Sequence, residues 1–201
     1  MAWALIPAEE LAGDIFNFYP LDERHLGFYL IDVSGHGVPS AMLSVHLAKT
    51  LSPEPRPDSL VRLPSNKPDP AQGLPKSFRD PVEVVTRLNE NFQADDRSMM
   101  YFTMVYGIID SLSGQGSLCQ AGHPYPLICR GDGSIELLGN GGFPVGLMHD
   151  IRYEAVDFKL RSGDRLLLYS DGITECCNPE NIQFGENRLS EIFSNTRSLS
   201  L

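Results

Sequence analysis

Three aspartates stand where apolar segments begin or end. Asp14 lies in AGDIF, Asp32 in LIDVSG and Asp171 in LLLYSDG. A half-buried carboxylate is costly unless it is paired or well hydrogen-bonded. If these segment ends converge, three mutually repelling acids need a positive partner. The basic residues Arg24, Lys49 and Arg165 are not placed at these motifs. Hard divalent cations that take oxygen ligands, Mg²⁺ or Mn²⁺, are the economical solution. Taken singly, an Asp beside Gly reads equally well as a turn or helix-capping residue.

Asp32 sits in LGFYLIDVSGHGVPSAML, Leu26 to Leu43. A metal ion, a phosphorylated aspartate, a nucleotide phosphate cradled by glycines and a capping acid are four ways to read it. A P-loop wants G-x-x-x-x-G-K-[ST], and GHGVPSAM carries no lysine in place. G-H-G lacks the third glycine of the dinucleotide fingerprint. A receiver-type phosphoaspartate needs a parallel α/β repeat, which the strand-rich second half does not supply. There is no G-x-S-x-G nucleophile elbow.

The elements that must position these acids are legible in the patterning. Gly13 to Tyr19 and Leu26 to Asp32 read as two strands joined by the polar LDER turn, and the second lacks polar alternation, so both its faces should be covered. Val38, Ala41, Met42, Val45 and Ala48 then recur at helical spacing, with Pro39 in a tolerant first turn, predicting an amphipathic helix. From Ser52 to Asp80, seven prolines and many polar residues predict an exposed loop, a flap or an insertion. Asp80-Pro81-Val82-Glu83 has the order of a capped helix start, with Val85, Leu88 and Phe92 as the buried stripe. Further strands are expected at Phe102–Asp110, Ser117–Ala121, Pro126–Arg130, Ser134–Leu138, Tyr153–Leu160 and Asp164–Asp171, with a short helix near Arg188–Phe193. Many consecutive strands with few helices predict an α+β layout with largely antiparallel sheets.

The 201 residues suffice for one domain, 1–201, with a full core. The net charge of −10 argues against nucleic acid, whose phosphates demand a basic face. No apolar run approaches the roughly 20 residues that cross a bilayer. MAWALIPAEE lacks the pattern of a secretory signal, so the expected location is cytoplasmic, with no membrane association. The four cysteines, Cys119, Cys129, Cys176 and Cys177, form no C-x-x-C pair and are read as reduced packing residues.

Five blocks occur in order: PAEELAGDIFN from Pro7, DVSGHG from Asp32, AGHPYP from Ala121, GFPVGL from Gly142 and GDRLLLYSDGITE from Gly163. Together they resemble the metal-dependent serine/threonine protein phosphatases of the PPM (type 2C) family. The closer likeness is to the bacterial branch typified by stage II sporulation protein E and the sigma-factor regulators. The resemblance implies an α-β-β-α sandwich of two antiparallel sheets flanked by helices, with two Mn²⁺ or Mg²⁺ ions at one end. On that likeness Asp32 bridges both ions, Asp14 and the Val33 backbone carbonyl serve one, and Asp171 serves the other. Gly35 and Gly37 leave room for water and phosphate, with His36 and Gly172 close by.

By the same likeness the activity is hydrolysis of phosphoserine or phosphothreonine on a regulatory protein such as an anti-sigma-factor antagonist, by metal-activated water. A receiver or sensor module is an expected companion in the full-length protein. His36 reads as a solvated turn residue and His123 as a structural hydrogen-bonding one; no residue stands out as general acid. Two departures are visible. Asn17 replaces the second acid of the first block, which predicts altered metal binding. No aspartate follows Asp171, where relatives carry D-D-x-[ST], and the glutamates at 175, 180, 186 and 191 sit in no matching motif. The expectation is a domain lacking its C-terminal strand and helix; the alternative is a catalytically impaired binding or adaptor domain.

Overall fold

Strand alternation decides the architecture. A computed structural model describes residues 2–6, 12–63, 77–93 and 100–196. Its strands are β1 (Ile15–Pro20), β2 (His25–Val33), β3 (Phe102–Asp110), β4 (Gln115–Ala121), β5 (Leu127–Cys129), β6 (Ile135–Leu137), β7 (Ala155–Lys159) and β8 (Arg165–Leu167). Its helices are α1 (Val38–Thr50), α2 (Pro81–Asn91), α3 (Asp171–Thr174) and α4 (Glu186–Asn195). The order β1-β2-β3-β4-β7 forms a five-stranded sheet and β6-β5-β8 a three-stranded one. Every pairing between these strands is antiparallel.

Side chains of opposite parity enter different layers. Tyr29, Ile31 and Val33, with Met104, Tyr106 and Cys119, pack against Leu47, Val84, Val85 and Leu88 of α1 and α2. Phe28, Val105 and Leu118 point the other way and meet Ile128 of β5, filling the space between the sheets. The outer face of the small sheet, through Leu127 and Cys129, takes Leu189 and Phe193 of α4. The layers therefore run helix, sheet, sheet, helix, as expected.

The start of α2 follows its sequence signals: the Asp80 side chain accepts from the Glu83 N–H at 2.8 Å, and Pro81 is the first helical residue. In α1 the buried face is not the expected one. Met42 and Val45 are 69% and 71% exposed, and Val38 is exposed too, whereas Ser40, Ser44 and Leu47 face inward. Ser40 donates to the Gly37 carbonyl at 2.9 Å, and Ser44 to the carbonyls of Ser40 and Gly13. Satisfied hydroxyls on short side chains let the helix approach the start of β1 closely.

Three further expectations change. Of the proline-rich stretch, residues 64–76 lie outside the described ones, but its base is no exposed loop: Ser59, Leu60 and Val61 are buried, and Arg62 bridges to Phe78. The last expected strand is shorter; β8 stops at Leu167, and Asp171 opens α3 rather than ending a strand. The cysteines are all free, yet only Cys119 and Cys129 are buried; Cys176 and Cys177 are exposed.

Candidate active site

The pairing of Ile15 with Ile31 brings Asp14, one residue earlier, opposite Asp32, one residue later. Asp32 shares parity with Phe28, so its half-buried side chain lies on the face between the sheets. Asp32 also pairs with Thr103 of β3. The small sheet delivers the third acid. Beyond β8 the chain continues through Tyr169 and Ser170 to Asp171, and the Ser170 hydroxyl donates to Asp14 Oδ2 at 2.7 Å. That bond ties the two sheets together beside the acids.

The three aspartates act on one another directly. Burial, then the charges of Asp14 and Asp171, push the Asp32 carboxyl up to about 7, and both neighbours stand close enough to share a proton with it. The influences named on Asp32 among the described residues are burial and the other two acids, all of which raise it. Arg24 is engaged with Asp110, and Arg165 donates to the Thr196 carbonyl at 2.7 Å. An all-carboxylate cluster whose central member must hold a proton to relieve repulsion has the donor chemistry of a hard divalent cation. Among the described residues, no group of three or more His, Cys, Asp or Glu side chains stands at ready-made ion-holding geometry. The acids are gathered rather than closed into a cage, but the donor set fits Mg²⁺ or Mn²⁺.

Around them, Val33 is buried, and its carbonyl lies 2.8 Å from where a side-chain carbon on Gly13 would stand. Gly35 and Gly37 have φ of +84° and +79°, and a side chain at either would meet nothing within 4 Å. They are glycines because of the backbone the turn needs. Gly37 also starts α1, its carbonyl accepting from the Ala41 N–H at 3.1 Å. His36 and Gly172 are exposed. Ser34, Gly35, His36, Pro39, Ser40, Met100 and Tyr101 line a cavity of about 350 Å³ at the turn that follows Asp32 in the chain. Backbone N–H of Ser34 donates to the Tyr101 carbonyl at 2.9 Å, and Tyr101 N–H donates to the Ser34 hydroxyl at 3.1 Å, fixing that wall.

Of the first sequence block, Pro7 to Leu11 lie outside the described residues. Asn17 is exposed, faces the opposite way from Asp14 and accepts from the Phe18 N–H at 2.9 Å. It pairs with Tyr29, three positions from Asp32, so the expected loss of a charge beside the metals is not supported. Sequence reasoning missed Ser170, although it lies within the fifth block. It also missed Met100 and Tyr101, which no local pattern marks.

The two-sheet sandwich with helices outside is the fold of PP2C-type phosphatase domains. The solved PP2C domain of SpoIIE from Bacillus subtilis aligns with a TM-score of 0.69 and 20% identity, covering 96% of this chain and 50% of that one. RsbX in complex with magnesium aligns with a TM-score of 0.59 and 13% identity over 96% of this chain and 83% of its own. The model of the stage II sporulation protein E family matches residues 22–201, and the chain belongs to that family, within the PPM group. The phosphoserine phosphatase RsbP of Bacillus subtilis is 29% identical over 172 residues, 84% of this chain and 38% of RsbP. The chain thus spans well under half the length of this relative.

Proposed function

We propose that this chain, taken as a single domain over 1–201, is a metal-dependent phosphoprotein phosphatase acting on phosphoserine or phosphothreonine of a regulatory protein in the cytoplasm. The observation that carries this reading is the convergence of Asp14, Asp32 and Asp171, whose mutual repulsion raises the Asp32 carboxyl. Kinship with a phosphoserine phosphatase and with a fold solved around magnesium supports it. The sigma-factor-regulating branch makes an anti-sigma-factor antagonist the substrate we favour.

Asp14, Asp32, Asp171 and the Val33 carbonyl would hold two Mn²⁺ or Mg²⁺ ions. When bound, such ions supply a water acidic enough to attack phosphorus near neutral pH and neutralise charge on the phosphoryl oxygens. The chain's own work is placement. Asp32 is fixed on one side by pairing with Thr103, and its neighbour Ile31 is held by Ile15 of β1 on the other. Ser170 orients the Asp14 carboxylate by donating to Oδ2. The turn that follows Asp32 takes positive φ at Gly35 and Gly37, and Gly35 lines the cavity where a phosphorylated side chain would enter.

The test is Mn²⁺-dependent release of phosphate from a phosphoserine peptide, with wild type and Asp32→Asn compared. Turnover by the wild type alone supports the reading. Equal rates in both remove Asp32 from the chemistry. Mn²⁺ and phosphopeptide binding without any turnover would leave a binding or adaptor domain.

A further inference from the structure

His123 of the AGHPYP block is 3% exposed, and none of the roles proposed above uses it. Its Nδ1 stands 2.8 Å from the Thr103 hydroxyl, and Thr103 is the residue paired across from Asp32. Its Nε2 is buried and has no complete hydrogen bond. The Tyr169 carbonyl lies near enough to favour a proton on the ring, as does the Asp14 charge. Burial outweighs both and holds the imidazole down to about 4, so the ring is neutral.

The backbone around it is fastened independently. The buried Gln120 side chain donates to the His123 carbonyl and accepts from the N–H groups of Asn140 and Gly141 at 2.9 and 2.7 Å. A buried side chain held so firmly, with one nitrogen engaged and the other not, has a direction.

We propose that His123 is a positioning residue for the carboxylate cluster: Nδ1 is locked on Thr103 beside Asp32, which turns Nε2 to the seam where Asp14 meets the Tyr169–Asp171 segment. A single imidazole thereby braces all three acid-bearing segments. With the ring neutral and Nδ1 accepting from Thr103, Nε2 carries the hydrogen and presents an N–H to an electronegative seam. This is the arrangement by which outer groups set the orientation of metal-binding carboxylates. The inference rests on the metal-site reading of Asp14, Asp32 and Asp171.

The experiment is calorimetric titration of the whole chain with Mn²⁺, for wild type and for His123→Gln, His123→Leu and Thr103→Val, with thermal melting of each metal-free protein alongside. The Gln amide can offer an N–H where Nε2 does, whereas Leu fills the space with no donor. His123→Leu is expected to bind Mn²⁺ roughly 10- to 100-fold more weakly, the usual loss for such outer partners. His123→Gln should recover most of that affinity, and Thr103→Val should lose a smaller part. Leu matching Gln, or every variant matching wild type, overturns the inference while leaving the metal site standing. A wild type that takes up no Mn²⁺ overturns the metal-site reading itself, and this inference with it.

Discussion

The ladder between β2 and β3 carries an aspartate at each end, and the two live under opposite rules. At one end Asp110 pairs with His25 in register and forms an ion pair with Arg24, while Ser113 and two backbone N–H groups also donate to it. Its carboxyl is held well below the usual range, first by the Arg24 hydrogen bond. At the other end Asp32 has burial and two more acids for company, and is pushed up to about 7. The same residue type in the same pair of strands is solved internally in one place and left unsolved in the other. Among the described residues a guanidinium neutralises Asp110 and the acids crowd Asp32, which is the contrast expected if the second end takes the cation proposed above.

Exchanging each acid for its amide is the strongest way to break that contrast. Asp32→Asn should lower kcat/KM on a phosphoserine peptide by about 10²- to 10³-fold or more, the scale of losing a preorganised electrostatic group. Asp110→Asn should leave kcat/KM within about twofold, because Asp110 lies at the opposite end of the ladder from the acid cluster, and lower the melting temperature instead. Similar activity losses from both changes would erase the functional distinction between the two ends.

The proton on Asp32 gives the next largest effect. In the metal-free fold its carboxyl is raised to about 7 from an ordinary value of 3.8, so the folded state binds the proton more tightly than the unfolded chain does. The associated stability is fully present below the unfolded value and is lost as pH climbs through the folded one. Between about pH 6 and pH 8 the chelated wild type should lose stability relative to Asp32→Asn in urea denaturation. His123 works in the other direction: its depressed value makes its contribution present above about 6.5 and lost as pH falls. Comparison with Asp32→Asn removes this opposing part. Mn²⁺ should restore stability most at the alkaline end, where no proton competes for Asp32.

Much of this was readable before any fold was known. β3 spans Phe102–Asp110 as its unbroken apolar run predicts, and α2 starts where Asp80 and Pro81 say it should. Both depend on local chemistry, a covered strand and a cap. A shared site for Asp14, Asp32 and Asp171 was expected from the resemblance carried by the motif blocks, since the apolar segments alone left their convergence conditional. The buried face of α1 was not. Its apolar residues Val38, Met42 and Val45 recur at helical spacing, yet the helix turns Ser40 and Ser44 inward, because the start of β1 offers the Gly13 carbonyl as an acceptor and demands small neighbours. Such a choice belongs to the partner surface rather than to the helix. The role of Ser170 was hidden for the same reason: its acceptor, on Asp14, lies 156 residues away.

The smallest and sharpest comparison uses two serine–aspartate hydrogen bonds of nearly equal length. Ser170 donates to Asp14 Oδ2 at 2.7 Å in the acid cluster, and Ser113 donates to Asp110 Oδ2 at 2.8 Å at the far end of the ladder. Removing either hydroxyl removes one hydrogen bond to a carboxyl group. The consequences should separate by location. Asp110 keeps Arg24 and two backbone donors, so Ser113→Ala should appear only as a small fall in melting temperature, with Mn²⁺ affinity unchanged. Asp14 loses the side-chain donor that couples it to the Asp171 segment, so Ser170→Ala should weaken Mn²⁺ binding by about five- to tenfold in calorimetry. That loss should come with little change in metal-free stability, because repulsion among the acids already strains that end. Equal Mn²⁺ affinities for the two variants would mean that the bond across the sheets holds the fold together without arranging the cluster.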